Sequence, residues 1–240
     1  MSKINLKQIL IVLVGSTRSK IMKLIKPKNK YFLFGIPKKS LKPISKIYGF
    51  DRGKPIDRYY IEKFLENNKR YIKGKCLEVT DDAYTKKYGG KKVKESDVLD
   101  IDKKNSRTTI IGDLKKLDGI KDNTYDCIIL THVLGMIDDY KKAIIECKRI
   151  LKSKGTLLVT WSSVASPLIS EGCYWKLTPN SAKYVFSKYF SKSKLKIGSG
   201  GNILSGQAFW VGLSAEELSE KELSYNDPRY PIIITIRAIK

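Results

Sequence analysis

The stretch YDCIILTHVL, Tyr125 to Leu134, holds four apolar residues in a row, Cys127 to Leu130. A strand with one face in water alternates apolar with polar, so a continuous run has both faces covered. Three further pieces share this character: KCLEV, read as a strand over Cys76–Thr80, TTIIGDL with Thr108–Ile111 extended, and TLLVTW from Thr156. Between them stand helical patterns. Ile56, Tyr59, Tyr60, Phe64 and Leu65 recur at helical spacing ahead of Gly74, and Ala143–Leu151 repeats the pattern before LKSKG. A second strand is expected over about Lys92–Asp97, a helix near Thr178–Tyr189 and a strand near Leu195–Ile197. GQAFWVGLSAEEL reads as helical, and YPIIITIRAIK as a closing strand. Buried strands alternating with helices form a mostly parallel sheet covered on both faces. Ligands of such sheets sit beyond the carboxyl ends of the strands.

At 240 residues the chain is long enough for one domain with a terminal extension. Residues 1–50, rich in lysine and proline, read as a basic arm, and residues 51–240 as the domain. ILIVLV, Ile9 to Val14, is far shorter than the roughly 20 apolar residues that span a bilayer. The basic run from Arg18 to Lys30 would let the arm touch an anionic membrane face. The formal charge of +23 invites a nucleic-acid partner, but only eight of the 47 basic residues are arginine. Arginine is the residue whose fork suits phosphates and base edges, and these lysines are scattered, so most of the charge reads as solvated surface. Cys76, Cys127, Cys147 and Cys173 stand far apart without a C-x-x-C pair. Free thiols in a reducing, cytoplasmic setting are expected, and no metal site.

Each early strand brings a carboxylate to the binding edge: Glu78 in the first, Asp97 ending the second, Asp113 just after the third. Asp97 follows Glu78 at the spacing where an acid reaches a ribose hydroxyl, and Asp113 could accept from an exocyclic amine while Leu114 covers the base. The loop after the first strand has Thr80, Asp81 and Asp82 where dinucleotide folds place glycines. Glycines there bring bare N–H groups onto a pyrophosphate, and two aspartates would repel one. A cofactor with adenosine and an ammonium but no phosphate fits better. S-adenosylmethionine (SAM) has those features.

Over roughly residues 47–240 the chain resembles class I SAM-dependent methyltransferases. The matching pieces are KCLEVTDD, KVKESDVLD, IIGDL, YDCIILTHVLGMIDD and CKRILKSKGTLLVTW, the last two the most specific. GFDRGKPIDRYYIEKFL, SDVLD, YWKLTP and DPRYPIIITIRAIK are similar to a bacterial subgroup often associated with glycosyltransferases. The first motif departs by lacking Gly-x-Gly, and the turn before the fifth strand reads Ser153-Lys154-Gly155. The resemblance implies an α/β, Rossmann-like, mostly parallel seven-stranded sheet with helices on both faces and an antiparallel last strand. It implies a SAM-dependent methyltransferase, with Glu78, Thr80, Asp81, Asp97, Asp113, Leu114 and Thr131 as cofactor contacts.

His132, the only histidine, follows the fourth strand and would act as base or line the pocket. Tyr59 and Tyr60 could close over the cofactor or pack in the core. Arg52 and Arg58, in the turn DRGKPIDR, could grip an acidic substrate or Glu78. Trp161, Tyr174 and Trp175 are either walls for a sugar or aromatic acceptor, or core. The reading is O-methylation of a saccharide or related biosynthetic intermediate. The alternatives are a catalytically inactive partner protein in glycan assembly and an RNA methyltransferase.

Overall fold

The structure, a computed structural model, describes residues 42–164 and 172–240. Most of the expected N-terminal arm, with ILIVLV and the Arg18–Lys30 run, lies outside the described residues. The described residues form two compact units, one within 61–200 with 231–240, the other 42–60 with 201–230. The division falls inside helix α1, Ile56–Asn68, between Tyr60 and Ile61.

The larger unit contains strands β1 (Gly74–Val79), β2 (Val93–Asp100), β3 (Ile110–Ile111) and β4 (Tyr125–Thr131). Helix α2 (Tyr140–Ile150), strand β5 (Leu151–Ser162), helix α3 (Pro179–Phe186) and strand β6 (Leu195–Gly200) follow. After helices α4 (Ile203–Val211) and α5 (Glu220–Ser224) of the smaller unit, strand β7 (Ile233–Ile239) returns to the sheet. The seven strands lie in the order β3-β2-β1-β4-β5-β7-β6. β7 is antiparallel to both of its neighbours, and the β1–β2, β1–β4, β2–β3 and β4–β5 pairs are parallel.

Strand alternation sorts the side chains. Leu77, Leu99, Ile128, Leu130, Leu157, Val159, Trp161, Ile234 and Ile236 share one buried cluster with Ala143, Ile144, Cys147 and Ile150 of α2 and Ala182 and Phe186 of α3. Each fully buried Leu or Ile there contributes about 1.5–3 kcal/mol. α2 opens on Asp139, whose carboxylate accepts from the Lys142 N–H. α3 opens on Thr178 and Pro179, with a reciprocal box between Thr178 and Ser181. All four cysteines are free thiols, three of them buried.

Two expectations about the strands need correction. The second strand does not end at Asp97 but runs to Asp100, three residues further, where Asp100 pairs with Ile111 of β3. The third shrinks to Ile110–Ile111. The alternation with helices also lapses here, since the 101–109 and 112–124 connections consist of turns.

Turns leave backbone groups without helical partners, and such groups need other ones. On the last turn of α2, Arg149 gives all five of its N–H bonds, three of them to the 112–124 connection. Nη1 donates to Ile120 O (2.8 Å) and Asp122 (2.7 Å), Nη2 to Leu117 O (2.9 Å) and Glu146 (2.8 Å), and Nε to Glu146 (3.0 Å). Glu146 in turn accepts from the Leu117 N–H at 2.9 Å. Lysine carries three donors on one atom and cannot span these acceptors. Arg149→Lys is therefore expected to cost about 1–3 kcal/mol in urea unfolding at pH 7. A loss below about 0.5 kcal/mol, the scale of an ordinary surface change, would show that the connection holds itself.

Candidate functional site

At the carboxyl ends of β1, β2 and β4 a cavity of about 470 Å3 opens. Its apolar wall includes Val79, Leu99, Leu114, Val133 and Ile137, and its polar groups include Thr80, Asp100, Asp113 and Asp138.

Thr80 ends β1 with φ 74°, a left-handed conformation that β-branched residues rarely hold. Its N–H donates to Leu99 O (3.0 Å), and its carbonyl accepts from the Asn105 amide (2.7 Å). The same amide donates to Asp100 at 2.7 Å, so Asn105 ties the ends of β1 and β2 together. Burial pushes the Asp100 carboxyl up, but the Asp102 N–H and the Asn105 amide outweigh it and hold the group below the ordinary range. Asp113 turns its own loop by accepting from the Lys115 N–H (2.9 Å). Lys115 bridges the loops after β3 and β4, at 2.7 Å from Asp138 and 3.6 Å from Asp113. Its ammonium holds the Asp138 carboxyl below the usual range.

The loop after β4 is fastened from β5. The Tyr174 and Trp175 N–H groups both donate to Gly135 O, at 2.9 and 3.1 Å. Trp161 donates its indole N–H to Trp175 O (2.9 Å), and Trp175 donates its own to Asp138 O (2.9 Å). Tyr140 packs edge-on against both indoles. Tyr174 lines the cavity with 59% of its surface exposed.

Of the residues picked from the sequence, Thr80, Asp113 and Leu114 line the cavity. Asp97 does not. Lying inside β2, it accepts from the Tyr125 hydroxyl (2.8 Å) and pairs with Lys75 at 3.3 Å. Glu78 is buried and accepts from the Thr85 N–H (2.8 Å). Asp81 accepts from the Ala83 N–H (2.9 Å) and faces Arg107 at 3.8 Å. Thr131 and His132 are half-buried at the end of β4, and the cavity wall begins one residue later, at Val133. His132 is also left-handed, at φ 60°. Trp161 is core rather than an acceptor wall, because it is buried and its N–H is used internally. Arg52 and Arg58 lie in the smaller unit, where Arg52 forks onto both oxygens of Glu217 and Arg58 is half-buried beside Asp57. The Tyr59 and Tyr60 hydroxyls bond within the smaller unit, donating to Glu220 (2.6 Å) and Leu223 O (2.9 Å). Sequence reasoning missed Asp100, Asn105 and Lys115. Asp100 was legible as the last acid of SDVLD; Asn105 and Lys115 sit in loops without a motif.

Burial pushes the Glu78 carboxyl up to about 7, against the opposing pull of the Thr85 N–H. A raised carboxyl favours the folded state below its unfolded pKa of about 4.3, and that contribution is lost as pH rises through 7. Glu78→Gln keeps the acceptor without the charge. It should gain about 2–3 kcal/mol on the wild type between pH 5 and pH 8, read as parallel urea titrations. Equal differences at the two pH values would overturn the assignment.

Residues 64–159 match the family model described as a methyltransferase domain. No curated protein matches the chain. A SAM-dependent methyltransferase from Archaeoglobus fulgidus superposes with a TM-score of 0.52 at 15% identity, over 76% of this chain and 94% of that one. Another, from Thermotoga maritima, gives 0.50 at 15% identity over 77% and 91%. At such identity the likeness shows the fold alone. Residues 64–159 are thus similar to a methyltransferase domain, and the seven-stranded sheet has the fold seen in SAM-dependent methyltransferases of known structure.

Proposed function

We propose that the cavity beyond β1, β2 and β4 holds SAM and that the chain passes its methyl group to a hydroxyl of a saccharide or a related biosynthetic intermediate. The observation that carries this reading is the pair of carboxylates, Asp100 and Asp113, over an apolar cavity at adjacent strand ends. Carboxylates accept from hydroxyls and amines and repel phosphates, so this donor set suits adenosine and disfavours a dinucleotide.

The missing glycines are compatible with that fit. Thr80 takes the left-handed turn that glycine would take. The Asp82 carboxylate is paired with Lys86 at 2.9 Å. In this reading Asp100 receives the ribose hydroxyls, Asp113 the exocyclic amine, and Leu114 and Leu99 cover the flat base. Asp97 is proposed as a sheet brace instead of the ribose acid.

SAM, when bound, supplies an electrophilic methyl group on sulfur. The chain supplies alignment and exclusion of water, which carry most of such a displacement. His132, beside the cavity wall, is the group that can take a proton from a hydroxyl near neutral pH. The exposed ring of Tyr174 offers a flat face at the cavity to a sugar ring. Cytoplasmic placement accords with the free thiols.

Asp100→Ala should weaken SAM in calorimetric titration by tenfold or more, the scale of a lost charge-assisted hydrogen bond of about 1.5–3 kcal/mol. Asp97→Ala should leave affinity within about threefold and instead lower stability, because it strips a partner from buried Tyr125. The reverse pattern would restore Asp97 to the ribose. With methyl-labelled SAM, label on oligosaccharides supports the acceptor reading, and label on RNA alone defeats it. On the acceptor so found, His132→Asn should cut turnover by about 10²–10⁴ and erase the acidic limb of the pH–rate profile. A retained limb would leave His132 as pocket lining.

A further inference from the structure

The smaller unit presents an apolar face that the cofactor reading does not use. Helix α4, ILSGQAFWV, contains no charged residue. Ser205, Ala208 and Phe209 bury one side of it. Ile203 and Trp210, two turns apart and so on one face, are 54% and 52% exposed. A turn from Ile44 to Phe50 hooks onto the end of the helix: the Ile44 N–H donates to Val211 O (2.8 Å), and Tyr48 stacks on Phe209 at 5.6 Å. Gly212 ends the helix at φ 79°, where a Cβ would strike Ser45 O at 2.6 Å. The same turn exposes Ile44, Ile47 and Phe50, the last by 57%, and carries exposed Lys42 and Lys46.

We infer that this face, centred on Phe50 and Trp210, docks on the surface of an anionic lipid bilayer. Isolated exposed apolar residues are ordinary, but several large ones on one small unit mark a contact surface. Charge selects the occupant. The 41 residues that lead into the turn hold ten Lys and Arg and no acid, and the whole chain carries +23. A second copy would bring the same charge against it. Nucleic acid would need arginine forks and phosphate cradles, whereas Ile44, Ile47 and Ile203 offer only aliphatic surface and Arg52 is committed to Glu217. Aromatic rings beside lysines suit the headgroup boundary, where the rings enter the acyl edge and the ammonium groups stay with the anionic lipids. No helix among the described residues is long and apolar enough to cross a membrane, so the contact would be a surface one. Such a placement would present the chain to acceptors at a membrane, whatever their class.

The test is co-sedimentation of the full chain with phosphatidylcholine vesicles carrying about 30% phosphatidylglycerol, a composition chosen to mimic an anionic leaflet, at physiological salt. The chain should bind these and bind pure phosphatidylcholine at least tenfold more weakly. Phe50→Ser with Trp210→Gln keeps every charge and should lose at least tenfold in binding, with SAM affinity and Tm unchanged. Lys42→Glu with Lys46→Glu should weaken binding severalfold and make its loss with salt shallower. Undiminished binding by the Phe50/Trp210 variant would overturn the proposal, leaving general charge as the attraction. Failure of the wild type to bind would overturn it too. So would a dimer, seen by light scattering, that the same variant converts to a monomer.

Discussion

Arg149 is the interaction on which the cavity depends. The 112–124 connection must present Asp113, Leu114 and Lys115 to the cavity without a helix to order it. A turn-built segment of this length would ordinarily leave carbonyls unpaired and sample many conformations. Arg149 removes both difficulties by holding two of its carbonyls and Asp122 from the last turn of α2, while Glu146 holds one of its N–H groups. Glu146 also lies low in its titration because the guanidinium sits beside it, so the pair stays charged across the neutral range. The helix whose Ala143, Ile144 and Cys147 pack on the sheet thus positions a wall of the cavity with its polar side.

Strain gathers where β1 and β4 end. These strands are neighbours, and the chain leaves them to opposite sides of the sheet order, toward β2 and toward β5. Such a switch point opens a crevice. Thr80 and His132 are both left-handed at that edge, each at a cost of roughly 1–2 kcal/mol. Both are held by an N–H bond to the next strand, Thr80 to Leu99 O and His132 to Thr160 O. The geometry a glycine would take without strain is imposed here by neighbouring strands.

The sheet was legible because continuous apolar runs have one solution in a chain of this length, and YDCIIL and TLLVTW became neighbours β4 and β5. The site was legible in part. SDVLD offers two acids, Asp97 and Asp100, and local pattern cannot rank them. What separates them is long-range: Tyr125, 28 residues from Asp97, donates its hydroxyl there, whereas Asp100 reaches the end of the strand. Arg52 likewise carries no local sign of its partner. Its partner Glu217 lies 165 residues away and belongs to a segment whose pattern says helix and nothing about charge pairing. Trp161 read equally as wall or core, and its burial and its N–H bond to Trp175 O place it in the core. Elements with strong periodic signals were legible, whereas the distant partners of Asp97 and Arg52 left no local trace.

The aromatic clasp explains how a short loop after β4 can form a wall at all. Gly135 lies where a Cβ would meet Trp161 Nε1 and Trp175 O, each at 3.0 Å, so a larger residue would crowd the clasp. The close approach allows one carbonyl, Gly135 O, to accept two N–H groups. Trp161 is buried at the end of β5 and cannot shift without disturbing the core. Trp175 is half in water, yet it is fixed through its carbonyl on one side and its indole N–H on the other. Its neighbour Tyr174 therefore receives a rigid backbone and keeps a free ring at the cavity. Side-chain order at a binding surface is then supplied from the core outward, through two indoles and a glycine.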